Sequence, residues 1–268
     1  MLVYMSEEWL RLGTSSKGEL LLYHFVDTHC HIDLYDDPKK IIEQACQQGI
    51  EVIAVTNAPS VYAYTRGLCR GYANLKPAIG LHPLLVTERF RELRGCKSDF
   101  VQSAFVGEIG LDYSNATRSQ KYDQRVALDL ILSWCSNGTQ KVLSLHSKRA
   151  VGDVLAALSP NVPKDVKIIL HWFTGTTKEL SKAVGMGAFF SVNEQMLRTK
   201  SGRTMAMSIP QGNLLTETDG PFVERNNKPI SPVDVPRLTR EIAGIWGVSI
   251  EEAAYRIHGN FQQCNVVQ

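Results

Sequence analysis

Five of the seven histidines, His29, His31, His82, His146 and His171, stand at or near the ends of short apolar runs. Glu108 and Asp219 hold matching places in FVGEIG and LLTETD. A neutral imidazole offers one nitrogen lone pair and a carboxylate two oxygens, so this set of residue types suits coordination of divalent cations. His29 and His31 form an H-x-H pair, and two residues apart on a strand they project to one face and can grip one ion. Asp27 and Asp33 flank the pair and are expected to orient its imidazoles, since a ligating histidine usually donates its other N–H to a carboxylate or carbonyl. Glu108 is the candidate bridge between two cations because its two oxygens can reach both. His146 and His171 follow KVLSL and VKIIL, and equivalent places on successive strands point to a second metal position. Asp219 precedes Gly-Pro, and strand alternation puts Glu217 on its face as an outer partner. Each residue alone has a plainer reading, such as a hydrogen-bonded core histidine or a turn aspartate. Their joint placement is what argues for a metal centre.

Residues so far apart in the chain meet only if the elements carrying them converge. Apolar segments over 24–31, 50–57, 77–82, 104–109, 141–146, 166–171, 187–193 and 213–219 read as strands. Runs such as EVIAV and VKIIL are the continuous apolar stretches expected of parallel strands buried on both faces. Helices are expected between them, for example over 38–48 and 121–135, and two more within 232–267. This β-α alternation, repeated eight times, predicts an α/β fold, a single (β/α)8 TIM barrel over 24–268, with 1–23 as an N-terminal extension outside the repeat. In such a barrel the carboxyl ends of the strands form one rim, where ligands from many strands gather.

The 268 residues, 44% hydrophobic and 21% charged, describe an ordinary globular chain, and no apolar run approaches the length of a membrane span. The opening residues lack a basic leader and a sustained apolar stretch, so a cytoplasmic protein is expected. Six scattered cysteines without a C-x-x-C pair argue against a zinc ribbon or a disulfide framework. A net charge of +2 is too small to imply nucleic-acid binding by bulk electrostatics. Any affinity for a polyanion must be local, and bound cations could supply it.

The ordered motifs DTHCHID, AIGLHP, VGEIGLDY, LSLHSKRA, ILHWFTG and LLTETDGPF resemble those of the TatD-like metal-dependent deoxyribonucleases of the amidohydrolase superfamily, from about Phe25 to the C-terminus. The variants LYDDP, AVTNAP, HWFTG, FFSVNEQML and ETDGPF look most like QatD, the TatD-like component of Qat anti-phage systems. The resemblance implies that His29, His31, Glu108 and Asp219 hold one ion while Glu108, His146 and His171 hold the other, with Glu108 and Asp219 catalytic. It places His82 and Lys148 near substrate phosphate, and Asp112 with Asp27, Asp33 and Glu217 among the outer partners. Lys148 stands where the family commonly has arginine, and Ser114-Asn115 opens a diverged loop, so substrate contacts carry over less fully than metal binding. The implied cofactors are two divalent ions, Mg²⁺, Mn²⁺ or Zn²⁺. The implied partners are a DNA substrate and other Qat proteins, with no membrane. Two rival readings stay open, a metallohydrolase of an amide, ester or lactone, and a non-catalytic scaffold subunit of a defence complex.

Overall fold

The computed structural model describes residues 25–136, 140–161, 163 and 166–264, together with the two-residue strands Gly13–Thr14 and Leu20–Leu21, which pair antiparallel. The rest of the expected extension over 1–23, and the outermost residues of the expected strand at 24 and helix at 265–267, lie outside the described residues.

Eight parallel strands follow one another in chain order: β1 Val26–Cys30, β2 Glu51–Val55, β3 Leu75–Ala78, β4 Phe105–Gly110, β5 Val142–His146, β6 Lys167–Leu170, β7 Phe189–Val192 and β8 Leu214–Thr216. β1 to β3 form one parallel run and β4 to β8 a second. The runs meet where Ile79 bridges Val106 and Gly107 N donates to Ile79 O at 2.8 Å. On the other side Thr28 Oγ1 donates to Thr216 O at 3.0 Å, Thr216 Oγ1 donates to Val26 O at 2.5 Å, and Asp219 N donates to His29 O at 2.9 Å. β1 and β8 are thereby tied and the ring of strands is completed, in keeping with the (β/α)8 barrel read from the sequence.

Its interior is packed. Val26, Ile53, Ala78, Phe105, Val142, Ile169, Phe189 and Leu215, one from each strand, cluster with Phe261 and Cys264 of the last helix, Ile250–Cys264. A larger cluster joins the outward faces of the strands to the helices, with Leu128, Ile131 and Leu132 of Arg118–Cys135 against Val106, Leu143 and Leu145. That helix begins three residues before the expected start because Thr117 and Gln120 form a reciprocal capping box. Pro38–Gln47 opens as read, with Asp37 accepting from Lys40 N and Pro38 at the first position. All six cysteines are free thiols, and five are buried.

Candidate metal centre

β1 delivers the first pair. His29 lies on the strand and His31 just beyond it, at the entry to the 3-10 turn Ile32–Leu34, and both are fully buried. A register shift between Asp27 and Cys30 accompanies the turn of the two rings toward a common point, with centroids 5.2 Å apart. Glu108 comes from β4, His146 ends β5, and His171 follows β6. Asp219 lies three residues past β8, in the left-handed region at φ 51°, held by its own N–H to His29 O and by His31 N donating to Gly220 O at 2.8 Å. Left-handed backbone at a non-glycine residue costs on the order of 1 kcal/mol or more, and such conformations gather at functional sites.

The two oxygens of Glu108 face different partners. Oε2 lies 3.7 Å from His29 Nε2 and 3.5 Å from His31 Nε2, and Asp219 Oδ1 approaches the same two nitrogens at 3.9 and 3.6 Å. Oε1 lies 2.7 Å from His146 Nδ1 and 2.9 Å from His171 Nε2. Among the described residues, His29–His31–Glu108, His29–His171–Asp219 and His82–Glu108–His146 each bring three ligand atoms within 4.8 Å of one another.

Outer contacts set which nitrogen is free to coordinate. His146 Nε2 sits 3.0 Å from Asp112 Oδ2, so a proton there leaves the Nδ1 lone pair facing inward. His29 Nδ1 meets Ser144 Oγ at 2.7 Å, leaving Nε2 inward. Glu217 lies 3.6 Å from His171 Nδ1 and accepts from Trp172 N at 3.1 Å, Asn193 Nδ2 at 2.9 Å and Ser191 Oγ. His82 is arranged differently. Its Nδ1 accepts from Leu84 N at 3.1 Å, so in the neutral ring Nε2 carries the proton and is a donor, 3.4 Å from Glu108 Oε1. A protonated nitrogen cannot ligate a cation.

Charge follows the same plan. Burial works against ionisation of Glu108, yet His82, His171 and hydrogen bonds from His146 and His171 hold its carboxyl well below the usual range. Burial opposes charge on His171, but Glu108 and Glu217 outweigh it and raise the ring well above its ordinary value. Burial pushes His82 down to about 4, against the pull of Glu108, so this ring is neutral. Burial and the neighbouring His171 likewise lower His29. His29 Nε2 and both nitrogens of His31 are buried without a hydrogen-bond partner among the described residues. Leaving such groups unsatisfied costs about 1–3 kcal/mol each, and a cation between the imidazoles and the carboxylates removes much of that penalty. The donor set therefore fits divalent metal.

Two expected outer partners act otherwise than read. Asp27 orients no imidazole: its Oδ1 accepts from Thr218 N at 2.9 Å and its Oδ2 from Thr218 Oγ1 at 2.5 Å, so it braces the turn that carries Asp219. Asp33 Oδ1 has no hydrogen-bond partner among the described residues, while burial raises the carboxyl and the charge of His31 opposes that rise. β8 ends at Thr216, so strand alternation does not govern Glu217 and Asp219, and Glu217 turns toward β6 and β7 instead. Lys148 is exposed at the rim, and its carbonyl accepts from Tyr113 N at 2.9 Å. Ser144 escaped notice, although it lies two residues before His146 and strand alternation would have turned it to the same face.

A barrel of parallel strands with imidazoles and carboxylates gathered at its carboxyl rim defines the class of metal-dependent hydrolases. Residues 26–265 match the family described as TatD related DNase, and the chain belongs to that family. It is 26% identical over 242 residues to the 3'-5' ssDNA/RNA exonuclease TatD of Pantoea vagans, covering 84% of this chain and 91% of that one. It is 26% identical over 250 residues to the metal-dependent hydrolase YcfH of Escherichia coli K12, covering 88% and 93%. Among solved structures, YjjV, a TatD homologue of Escherichia coli K12, superposes with a TM-score of 0.82 at 24% identity, over 92% of this chain and all of that one.

Proposed function

We propose that the chain hydrolyses phosphodiester bonds of DNA with two divalent cations, one held by His29, His31, Glu108 and Asp219 and the other by Glu108, His146 and His171. The observation that carries this reading is the division of Glu108, with Oε2 toward one imidazole pair and Oε1 toward the other. Bound ions of this kind polarise a phosphoryl oxygen and lower the pKa of water. The chain's own residues do the rest. Glu108 fixes the separation of the two ligand sets. Asp219, whose turn is clamped by Asp27, is placed to accept a proton from the attacking water. His82 Nε2–H is a neutral donor able to hold a phosphate oxygen, and Lys148 lies exposed on the loop after β5 to meet another. Asp112 keeps His146 in its ligating orientation, and the carboxylate of Glu217 faces His171 Nδ1 at 3.6 Å.

The nuclease names of relatives support a nucleic-acid substrate, and the fold alone does not distinguish it from an amide, ester or lactone. None of the described helices is long and apolar enough to cross a membrane, which is compatible with action in the cytoplasm. The sequence likeness to QatD supports a role for this activity in anti-phage defence, alongside other Qat proteins. Mg²⁺, Mn²⁺ and Zn²⁺ are the ions to test. Chelation is expected to abolish cleavage of labelled single- and double-stranded DNA, and adding back Mn²⁺ or Mg²⁺ to restore it. Full activity in protein shown metal-free by elemental analysis would overturn the reading, as would turnover of simple esters with none of DNA.

A further inference from the structure

A polar concavity of about 400 Å³ lies beside the segments that follow β7 and β8, lined by Glu194, Arg198, Arg225 and Asn226 together with Arg237 and Glu241 of the helix Val235–Trp246. Three guanidiniums face two carboxylates there. Glu194 is buried and spent: Arg225 Nε and Nη2 donate to it at 3.1 and 2.9 Å, and Arg198 Nη2 at 2.8 Å. Arg225 is further pinned by Asp234 at 2.6 Å. The other acid, Glu241, sits 3.9 Å from Arg237 and 4.0 Å from Arg203, too far for hydrogen bonds. Among the described residues Arg237 has no nearer partner, and it is more than half exposed. Arg198 also donates Nη1 to Gln195 Oε1 at 2.8 Å, so the donors left over in this concavity are those of Arg237 and the remaining N–H groups of Arg198.

The cavity is coupled to the metal-binding cluster by the chain. Arg225 belongs to the hairpin Glu224–Arg225/Lys228–Pro229, whose two-residue turn has Asn226 and Asn227 both left-handed at φ 53° and 58°. The hairpin grows directly from the Asp219 turn, where Phe222 N donates to Asp219 O at 3.0 Å and Ile230 N to Val223 O at 3.0 Å. On the other wall, Glu194 follows Asn193, which holds Glu217 beside His171. Phe222, at the base of the hairpin, is 59% exposed and packs its ring against His31 with centroids 5.0 Å apart.

We propose that this cavity is a second phosphate subsite, in which Arg198 and Arg237 hold a backbone phosphate of the strand whose scissile phosphodiester lies at the metal centre. The assignment rests on the nuclease reading for its substrate. Guanidinium carries five N–H donors and recognises phosphate through them; Arg237 offers its donors freely within the cavity, and Arg198 offers those not given to Glu194 and Gln195. Arg225, held by Glu194 and Asp234, shares Glu194 with Arg198.

The test compares Arg198→Ala and Arg237→Ala with the wild-type holoenzyme on a short single-stranded oligodeoxynucleotide and on bis(p-nitrophenyl) phosphate, a diester with no neighbouring phosphate. Each variant is expected to raise KM for the oligonucleotide about tenfold with kcat little changed, and to reduce the slope of log KM against log salt by about one. The small diester should be turned over as by wild type. Fluorescence anisotropy of a labelled oligonucleotide on metal-free protein should show the same loss of affinity and of salt dependence, which reads the subsite separately from catalysis. Wild-type protein that binds but does not cleave DNA would sink the nuclease reading and leave the subsite standing. Unchanged oligonucleotide affinity and salt slope in both variants would overturn the subsite and leave the six residues as a structural ion-pair network.

Discussion

At the scale of single residues, Glu108 is the position whose two oxygens face both imidazole pairs, and on the proposed reading it connects the two ligand sets. Glu108→Gln keeps the shape of the side chain but gives up the charge and one acceptor oxygen. We expect it to fold normally and to lose at least about a hundredfold in DNA hydrolysis, since several kcal/mol of transition-state stabilisation pass through that carboxylate. Circular dichroism and a melting curve would separate a fold defect from a site defect. Near wild-type rates with two ions retained would mean that another carboxylate does the bridging. The histidines were open to a sequence reading because their residue type and their place after apolar runs carry chemical information. Asp27 was not: an aspartate beside H-x-H is read as a partner of imidazole, whereas its bonds go to Thr218, 191 residues away.

Among the elements, glycines decide how closely the strand ends can approach. A Cβ on Gly110, at φ 138°, would overlap His146 O, and one on Gly80 would overlap the backbone of Glu108 and Thr56. We expect Gly110→Ala to destabilise the fold by about 3 kcal/mol, through backbone strain and overlap together. Gly187→Ala, with left-handed backbone but open space, should cost about 1 kcal/mol. Equal urea midpoints for the two variants would refute the packing argument. The same close approach explains where strand limits departed from the reading. The third strand was expected over 77–82 but is Leu75–Ala78, because beyond Ile79 the chain threads Gly80 between Thr56 and Glu108 and leaves the ladder. His82 consequently reaches the site from a 3-10 turn. The eighth stops at Thr216, since Glu217 and Thr218 spend their polar groups on β7 and on Asp27. Apolar periodicity reports burial, and burial continues past the point where strand pairing ends.

For the whole molecule, metal and proton compete for the same nitrogens. Burial disfavours charge on His146 and His171, but Asp112 and Glu108 overcome this at the first and Glu108 and Glu217 at the second, so both rings are raised in the metal-free protein. A raised histidine contributes stability that is fully present below its unfolded value and is lost as pH rises through the folded one. Metal binding has the opposite dependence, because the ligating nitrogen must be free of its proton. The gain in Tm on adding Mn²⁺ should therefore grow as pH rises from below the ordinary histidine value of about 6.5 through the raised values of these two rings. Calorimetry in buffers of different ionisation enthalpy should detect proton release on binding at the lower pH. A gain independent of pH would show that the bound ion does not displace protons from these two rings.

The seam between the first and last strands bears on how such a protein is made. His29 and Asp219 approach one another only once β8 has been laid against β1, and the bonds from Asp219 to His29 O and from His31 to Gly220 O belong to that seam. Until Asp219 has been made, the chain carries at most three of the four groups proposed for the first ligand set, His29, His31 and Glu108. If the barrel cuts nucleic acid, the topology is its own safety catch. On the proposed reading, a nascent chain short of Asp219 has no complete first ligand set, and cleavage waits until translation has passed that residue.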